Sequence, residues 1–266
     1  MISAFLLGLL QGISEFLPIS SDGHLALAAI LFGIQDAGLT LTVLLHVGTL
    51  LATALVLRER LGKAVVDGVK ALGSPALFRT SPGGQDALFV ILASLPTAII
   101  GLGLRDYVDA WTRSPLIVGL GFLVTSAFLI STYFAKPGVI EHPSHRAAVI
   151  LGVVQGIAVL PGVSRSGLTI AVALFLGVAR TRAFELSMLM SVPAVLGAVL
   201  LELPHMAENI SNLPFALLGA ATAFVSGVIT MLFLRRIVVG GMFPLFALWV
   251  VPVAIATLAM ARAWPH

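Results

Sequence analysis

Six long apolar runs dominate this chain and determine which kind of fold is open to it. Each is close to the ~20 residues that a helix needs to cross the hydrocarbon core of a bilayer. Only 10% of the 266 residues are charged and the mean hydropathy is +1.08, whereas soluble domains carry about 25% charged residues. We therefore predict an all-α integral membrane protein with six transmembrane helices, at roughly 40–57, 87–104, 114–135, 183–201, 214–234 and 242–261.

Four further apolar segments are too short to cross a bilayer, at about 4–17, 24–34, 147–160 and 167–178. They form two pairs, and each pair is interrupted by a proline and a cluster of hydroxyl residues. Irregular backbone at membrane depth is tolerated only where protein or a wet cavity surrounds it. The pattern therefore predicts two re-entrant helix hairpins, each entering and leaving the membrane on the same side.

The two predicted hairpins resemble each other in sequence. Residues 7–33 read LGLLQGISEFLPISSDGHLALAAILFG, and residues 151–177 read LGVVQGIAVLPGVSRSGLTIAVALFLG. Aligned at an offset of 143 or 144, they share eleven identities, among them Gln-Gly, Leu-Pro and a serine. Chance similarity between two apolar segments explains these polar matches poorly. A broken apolar segment in corresponding positions of two halves indicates a binding site inside the membrane.

Loop charge orients the predicted helices. Because cytoplasmic loops of membrane proteins carry an excess of Lys and Arg, the four most basic loops are placed inside. All six spans then alternate consistently, with both termini external, the first hairpin open to the outside and the second open to the cytoplasm. This is an inverted-topology repeat within a single membrane domain, residues 1–266, composed of repeat one (1–135), a seam loop (136–146) and repeat two (147–266).

The second hairpin collects groups that suit an anion. Pro161 ends one helix, and Ser166 is placed to cap the next one. Free backbone N–H groups, hydroxyls and a guanidinium at a helix N-terminus favour phosphate, which makes these residues candidate phosphate ligands: Gly162, Ser164, Arg165, Ser166 and Thr169. An arginine at mid-membrane costs about 2.5–3.5 kcal/mol, which favours a functional site over a snorkelling side chain or a simple partner for Glu15. Pairing with Glu15 in the empty site is compatible with either role.

The first hairpin has the opposite polarity. Gln11 and Glu15 are four residues apart and so share one helix face. A carboxylate and an amide oxygen on one face help to hold a hard cation such as Mg²⁺ or Ca²⁺. The alternative is that Glu15 is a buried partner of an arginine.

Hydroxyl residues lie at the break of the first hairpin. Ser20 and Ser21 precede His24, and a serine with a nearby histidine has the makings of a nucleophile and its base. The alternative is that the serines only cap the following helix. That alternative weakens when the serines, His24 and Glu15 face a phosphate clamp in the other repeat.

Both polar motifs resemble one known family. QGISEFLPISSDGH (residues 11–24) and PGVSRSGLT (residues 161–169) are similar to the two signature motifs of the undecaprenyl pyrophosphate phosphatases, also called bacitracin-resistance proteins. The resemblance extends over the whole chain, in length, span order and motif positions. The chain has Gln11 where the family has Glu or Gln, and Asp22 where a small hydroxyl residue is more usual.

This resemblance implies a function and residue roles. The family removes the terminal phosphate of undecaprenyl pyrophosphate, a polyprenyl lipid, and so regenerates the carrier for peptidoglycan synthesis in the bacterial plasma membrane. Ser21 would be the nucleophile and His24 its acid/base partner, at a site facing the periplasm. Glu15 with Gln11 would engage a divalent cation, Mg²⁺ or Ca²⁺. Arg165 and the neighbouring hydroxyls, together with Gly162 and Ser20, would bind the phosphates. Asp22 departs from the family pattern, and we hypothesise that it restores the charge that Gln11 lacks.

Other functional classes fit the sequence less well. An inverted-repeat transporter or flippase for an anion or anionic lipid would also use Arg165 and helix N-termini, but it has less need of a serine–histidine pair. A purely structural subunit would not explain buried charges. The basic residues lie in loops between apolar runs, so no nucleic acid partner is expected, and the chain has no cysteine for disulfides. The sequence leaves open whether the protein forms a homo-oligomer.

Overall fold

The structure is a computed structural model that describes residues 1–32, 39–208 and 213–263. Regular structure in these ranges is helical, apart from an isolated bridge between Ile140 and Val178. The helices are α1 (Ile2–Ser14), α2 (Ser21–Phe32), α3 (Leu39–Val56), α4 (Arg58–Gly73), α5 (Leu77–Thr80), α6 (Pro82–Thr112), α7 (Pro115–Ser131), α8 (His145–Ile157), α9 (Arg165–Phe175), α10 (Arg180–Glu208), α11 (Leu213–Val239) and α12 (Ala247–Ala263).

The helices that could cross a membrane coincide with the predicted apolar runs, which lie in α3, α6, α7, α10, α11 and α12. In the described residues, the last five of these are long and apolar enough to cross. The first run reaches the required length only when α3 is joined to α4, across a bend of 86°. The prediction of an all-α membrane protein is confirmed, with five or six candidate spans.

The four short apolar segments form short helices that break where the hydroxyl clusters lie. In the first pair, the chain leaves α1 after Ser14, and Ser20 adopts a left-handed φ of 69° before α2 begins. In the second pair, Gly162 has a φ of 84°, a conformation that glycine adopts without a Cβ penalty. The end of the predicted segment 24–34 lies outside the described residues.

One sequence expectation about this second break is wrong. The sequence pattern predicts Ser166 as the cap, but α9 begins at Arg165 and its N-cap is Ser164, whose side chain accepts a hydrogen bond from the Gly167 N–H at 3.1 Å. Ser166 instead lies within the first turn, because the helix starts one residue before the serine that the pattern favoured.

The short helices pack in a reciprocal manner against the two long helices of the opposite half. Helix α1 lies on α11, where Gly8 contacts the Gly219 backbone so closely that a Cβ would overlap it. Helix α8 lies on α6, where Gly152 meets Ala93 in the same way. Small residues at helix crossings permit this close approach between backbones.

The breaks of the two short-helix pairs, α1–α2 and α8–α9, meet inside the helix bundle. A Cβ added at Gly23 would lie 2.9 Å from the Gly162 Cα, and one at Gly167 would lie 3.3 Å from the Pro18 Cβ. The aromatic ring of Phe122, on α7, packs against this junction and is fully buried. The polar motifs of both hairpins are therefore brought to one place.

A separate cluster of charges joins α4, α6 and α10. Arg182 pairs with Asp86, and both side chains are only 2% exposed. Arg60 reaches Asp86 at 3.3 Å and Glu185 at 2.9 Å. The Arg182 Nε also donates to the Glu141 backbone carbonyl at 2.9 Å. Glu185 thus belongs to a structural ion network, which fixes the bent helix α4 against the bundle.

Candidate active site

Glu15, at the C-terminal end of α1, is the centre of the polar junction. Its carboxylate accepts three hydrogen bonds: from Arg165 Nη2 at 2.5 Å, from Ser21 Oγ at 2.8 Å and from Gln11 Nε2 at 3.1 Å. The Glu15 side chain is 8% exposed. Charge-assisted hydrogen bonds of this kind stabilise the ionised carboxylate in a buried place. The predicted pairing of Arg165 with Glu15 is confirmed.

Arg165 joins the two broken helix pairs and retains free hydrogen-bonding capacity. Its side chain is 16% exposed and uses Nη2 for Glu15. The other terminal nitrogen, Nη1, is buried and has no hydrogen-bond partner. Buried polar groups are almost always paired, so an orphaned guanidinium nitrogen beside a carboxylate indicates a place where an anion binds.

A threonine of α7 fixes the loop that carries Arg165. Thr125 Oγ1 donates to the Gly162 carbonyl and accepts from the Ser164 N–H, each at 2.9 Å. Its side chain is fully buried. This pair of bonds fixes the loop on both sides of Val163 and so sets the start of α9.

The hydroxyls that follow Pro161 are engaged within the protein. Ser164 Oγ caps α9 and lies 3.3 Å from Ser166 Oγ. Ser166 donates to the Leu17 carbonyl of the other hairpin at 3.3 Å, and Thr169 lies 2.6 Å from the Ser187 hydroxyl. All three candidate residues are buried. In this arrangement they hold the loop and the hairpin junction in place, and Arg165 is the group with an unused donor.

Ser20 and Ser21 have different surroundings at the break of the first hairpin. Ser20 Oγ accepts from the Gly23 N–H at 3.2 Å, so this serine caps α2. Ser21 is the first residue of α2, and its hydroxyl hydrogen bonds to Glu15. Capping therefore accounts for Ser20, whereas the Ser21 hydroxyl faces the charged junction.

His24 lies beside these residues but its ring nitrogens are bonded elsewhere. Nδ1 is 2.9 Å from the Ser20 carbonyl, and Nε2 accepts from the Trp249 indole N–H at 3.0 Å. The ring also packs nearly perpendicular to that of Phe122, with centroids 5.2 Å apart. The group in contact with the Ser21 hydroxyl is therefore Glu15 and not His24.

The donor set at this junction fits a divalent cation. Gln11 is fully buried, and its Oε1 has no hydrogen-bond partner, next to the Glu15 carboxylate. These are two oxygen donors of the type that Mg²⁺ and Ca²⁺ prefer. No group of three His, Asp or Glu side chains with metal-binding geometry occurs in the described ranges. Mg²⁺ is commonly held by one or two carboxylates together with substrate phosphates, which suits this donor set.

Sequence patterns identified the charged groups of the site but missed three residues that position them. Thr125, Phe122 and Trp249 lie in apolar runs of helices far from both motifs. The indole N–H of Trp249 and the hydroxyl of Thr125 are polar groups within apolar runs. That is the one sequence signal that could have indicated a role for these two residues. The motif that Trp249 or Thr125 contacts depends on how the helices pack, which the sequence pattern does not show.

The fold and this junction define a class of protein: a multi-pass membrane protein with a buried arginine–glutamate–serine site where two broken helix pairs meet. The chain belongs to the family described as bacitracin resistance protein BacA, whose model matches residues 4–256. It is 42% identical over 257 residues to an undecaprenyl-diphosphatase of Desulforapulum autotrophicum, covering 92% of this chain and 93% of that protein. A protein of the same name from Korarchaeum cryptofilum is 39% identical over 262 residues, covering 97% and 98%.

Proposed function

We propose that this protein is an undecaprenyl-diphosphatase, which hydrolyses the terminal phosphate of undecaprenyl pyrophosphate to give undecaprenyl phosphate. The product is the lipid carrier for peptidoglycan synthesis, and its recycling confers resistance to bacitracin. Membership of the BacA family and the names of relatives at 39% and 42% identity support this proposal. The names of the relatives describe a hydrolase, so the comparisons do not favour a transporter.

The observation that carries the proposal is the state of Arg165. Its Nη2 is held by Glu15, while the buried Nη1 has no partner. A phosphoryl group needs fixed cationic donors where its charge develops during transfer. Arg165 is such a donor. Arg165 and the Ser21 hydroxyl both hydrogen bond to the Glu15 carboxylate, so the three groups lie together.

Ser21 is the proposed nucleophile and Glu15 the group that accepts its proton, over the 2.8 Å hydrogen bond that joins them. The Ser21 oxygen forms a bond to the terminal phosphorus, and the anhydride bond to the leaving undecaprenyl phosphate breaks. Water then attacks phosphoserine, releasing phosphate and restoring the hydroxyl. His24 is the acid/base group for this second step, acting through Nε2 once that atom has exchanged the Trp249 indole for the attacking water, while Nδ1 stays on the Ser20 carbonyl.

Gln11 and Glu15 are the proposed ligands of a divalent cation, Mg²⁺ or Ca²⁺, which when bound would neutralise charge on the pyrophosphate. The unpaired Gln11 Oε1 supports this assignment. Ser164, Ser166 and Thr169 act as positioning residues for Arg165, together with Ser20 and Gly162 at the two breaks.

We further propose that the two helix pairs are re-entrant hairpins of an inverted repeat, in a bacterial plasma membrane. The reciprocal packing of α1 on α11 and α8 on α6 supports this arrangement. The distribution of basic loops supports external termini and a site that faces the outside. Labelling of tags at both termini in intact cells tests the orientation, because tags inside the cell would not be labelled and would contradict external termini.

Phosphate release from undecaprenyl pyrophosphate by the purified protein in detergent tests the function. We expect release that is lost in Glu15→Gln and Arg165→Gln variants that retain the wild-type thermal unfolding profile. Saturable binding of the lipid without phosphate release by the wild-type protein would instead identify a carrier.

A further inference from the structure

A large apolar groove lies between α6 and α10, outside the charged junction. Its volume is about 910 Å³, within the range of sites that hold small organic ligands. Its lining is mainly aliphatic and small, including Gly101, Leu102, Val159, Gly197 and Leu201. Leu102 is 57% exposed and Leu201 42% exposed, so in a membrane the groove is open sideways to lipid.

The equivalent place in the other half of the protein is filled. The Phe16-Leu17-Pro18 segment of the first hairpin corresponds to Val159-Leu160-Pro161 of the second. Phe16 is 1% exposed and packs against α11, where a Cβ added at Gly227 would lie 2.8 Å from its ring. At the corresponding place on α6, a Cβ added at Gly101 would lie 3.8 Å from Val159 Cγ1 and would have no other close neighbour. The groove thus exists where a valine replaces the phenylalanine.

The groove adjoins the loop that presents Arg165. Val159 lies on the connection between α8 and α9, just before Pro161 and Gly162. Thr97, another lining residue, donates to the Gly152 carbonyl at 2.8 Å and accepts from Gln155 Nε2 at 3.3 Å, which holds α8 beside the groove. At the other end, Arg105 and Glu202 form an ion pair at 3.1 Å. The apolar groove therefore runs from the loop that carries Arg165 to the Arg105–Glu202 ion pair.

We infer that this groove binds the isoprenoid chain of the substrate, an inference that rests on the proposed function. A polyprenyl pyrophosphate has a compact charged head and a long apolar chain, and a head group bound at Arg165 leaves that chain to be accommodated beside the α8–α9 connection. The groove offers an apolar lining of small side chains there, with open access from the bilayer. Burial of apolar surface stabilises such a chain in proportion to the area covered.

Two substitutions fill the groove from opposite sides. Val159→Phe restores the residue that the first hairpin has. Gly197→Leu places a side chain into the groove from α10, and a Cβ at this position meets nothing within 4 Å. Gly103→Leu is the matched control, because Gly103 on α6 also has open space around its Cβ but does not line the groove.

The test compares undecaprenyl pyrophosphate with isopentenyl pyrophosphate, whose single isoprene unit is too short to extend along the groove. For both filling variants we expect KM for the long substrate to rise about tenfold with kcat little changed, because uniform binding is lost. KM for the isopentenyl substrate should stay within about twofold of wild type, as should both substrates in Gly103→Leu. An unchanged KM for the long substrate in both variants overturns the groove assignment. Equal losses on both substrates also overturn it, since they indicate a displaced Arg165 loop. Absence of phosphate release by the wild-type protein from either substrate refutes the proposed function itself.

Discussion

Arg165 donates through Nη2 to Oε1 of Glu15 at 2.5 Å, which joins two broken helix pairs through residues 150 positions apart in the chain. The bond uses one terminal nitrogen and leaves Nη1 without a partner. A planar guanidinium can hold the carboxylate on one side and a phosphate on the other. The same residue therefore links the halves of the protein and offers the donor that a pyrophosphate requires.

This geometry makes Arg165→Lys a disruptive change although it keeps the charge. An ammonium cannot occupy both the Glu15 and the phosphate positions of a planar fork. We expect kcat/KM for phosphate release to fall at least about 100-fold, similar to the loss of a fixed donor at a transition state. Steady-state kinetics with thermal unfolding as the folding control measures this. Near wild-type kcat/KM in Arg165→Lys would show that only charge is needed there.

Substitutions at Ser21 and His24 are expected to impair different steps of the reaction. Ser21→Ala removes the proposed nucleophile, so no labelled phosphate should be trapped on the protein. His24→Gln leaves the Ser21–Glu15 hydrogen bond intact and should slow only the water step, so phosphoserine should accumulate. Rapid quenching with labelled substrate distinguishes them. Equal single-turnover rates in Ser21→Ala and the wild type would exclude the covalent route.

The charged motifs of this site are predictable from sequence because they are local. The Gln11–Glu15 spacing, the hydroxyls at each break and a lone arginine in an apolar segment each signal their chemistry without any knowledge of packing. The break before α9 is also local, since Pro161 and Gly162 interrupt the chain there, although Pro96 lies inside α6 without ending it. Helix existence was therefore predicted well, while the cap of α9 was misplaced by two residues, from Ser164 to Ser166.

The partners of His24 and Ser21 could not be predicted in the same way. His24 is three residues from Ser21, which favoured a direct pair, but its ring binds Ser20 and Trp249 because α12 packs beside the first hairpin. Thr125 contacts the Arg165 loop only because α7 packs on α9. Such contacts depend on helix packing, which no local spacing encodes.

Gln11 is expected to determine the Mg²⁺ concentration that the protein needs for half-maximal activity. Replacing it with Leu removes the unpaired Oε1 and should raise the Mg²⁺ concentration for half-maximal activity, whereas Gln11→Glu supplies a second carboxylate and should lower it. Titration of phosphate release with Mg²⁺, alongside direct Mn²⁺ binding followed by paramagnetic resonance, measures both changes. Identical midpoints in the two variants would remove Gln11 from the cation site.

We hypothesise that Asp22 also contributes to cation binding, because it adds a carboxylate to the segment that has Gln11 in place of Glu. The Asp22 side chain is exposed on the protein surface and lies next to Ser21. Asp22→Ala should raise the Mg²⁺ requirement if this carboxylate compensates for Gln11, and Asp22→Glu should preserve it. An unchanged Mg²⁺ midpoint in Asp22→Ala would assign the residue to the helix terminus, where an acidic side chain is favourable in any case.

Thr125 is expected to act through the Arg165 loop. Thr125→Val keeps the side-chain shape but leaves the Gly162 carbonyl and the Ser164 N–H unpaired in a buried place. The loop should loosen, lowering kcat more than it raises KM, and Thr125→Ser should restore activity because it retains the hydroxyl. A Thr125→Ser variant as impaired as Thr125→Val would indicate that the methyl group, and not the hydrogen bonds, is required.

The ion network of α4, α6 and α10 is expected to govern stability and not catalysis. Arg182→Met leaves Asp86 buried with only Arg60 nearby, and removing one partner of a buried pair costs about 3–5 kcal/mol. The double variant Asp86→Leu with Arg182→Met removes both charges, so it should recover a large part of that loss. Unfolding in detergent measures the three free energies, and kcat per folded molecule should stay near wild type because the network shares no residue with the Glu15 junction. A double variant as unstable as Arg182→Met alone would show that the other contacts of Arg182, above all its bond to the Glu141 carbonyl, hold the seam loop in place.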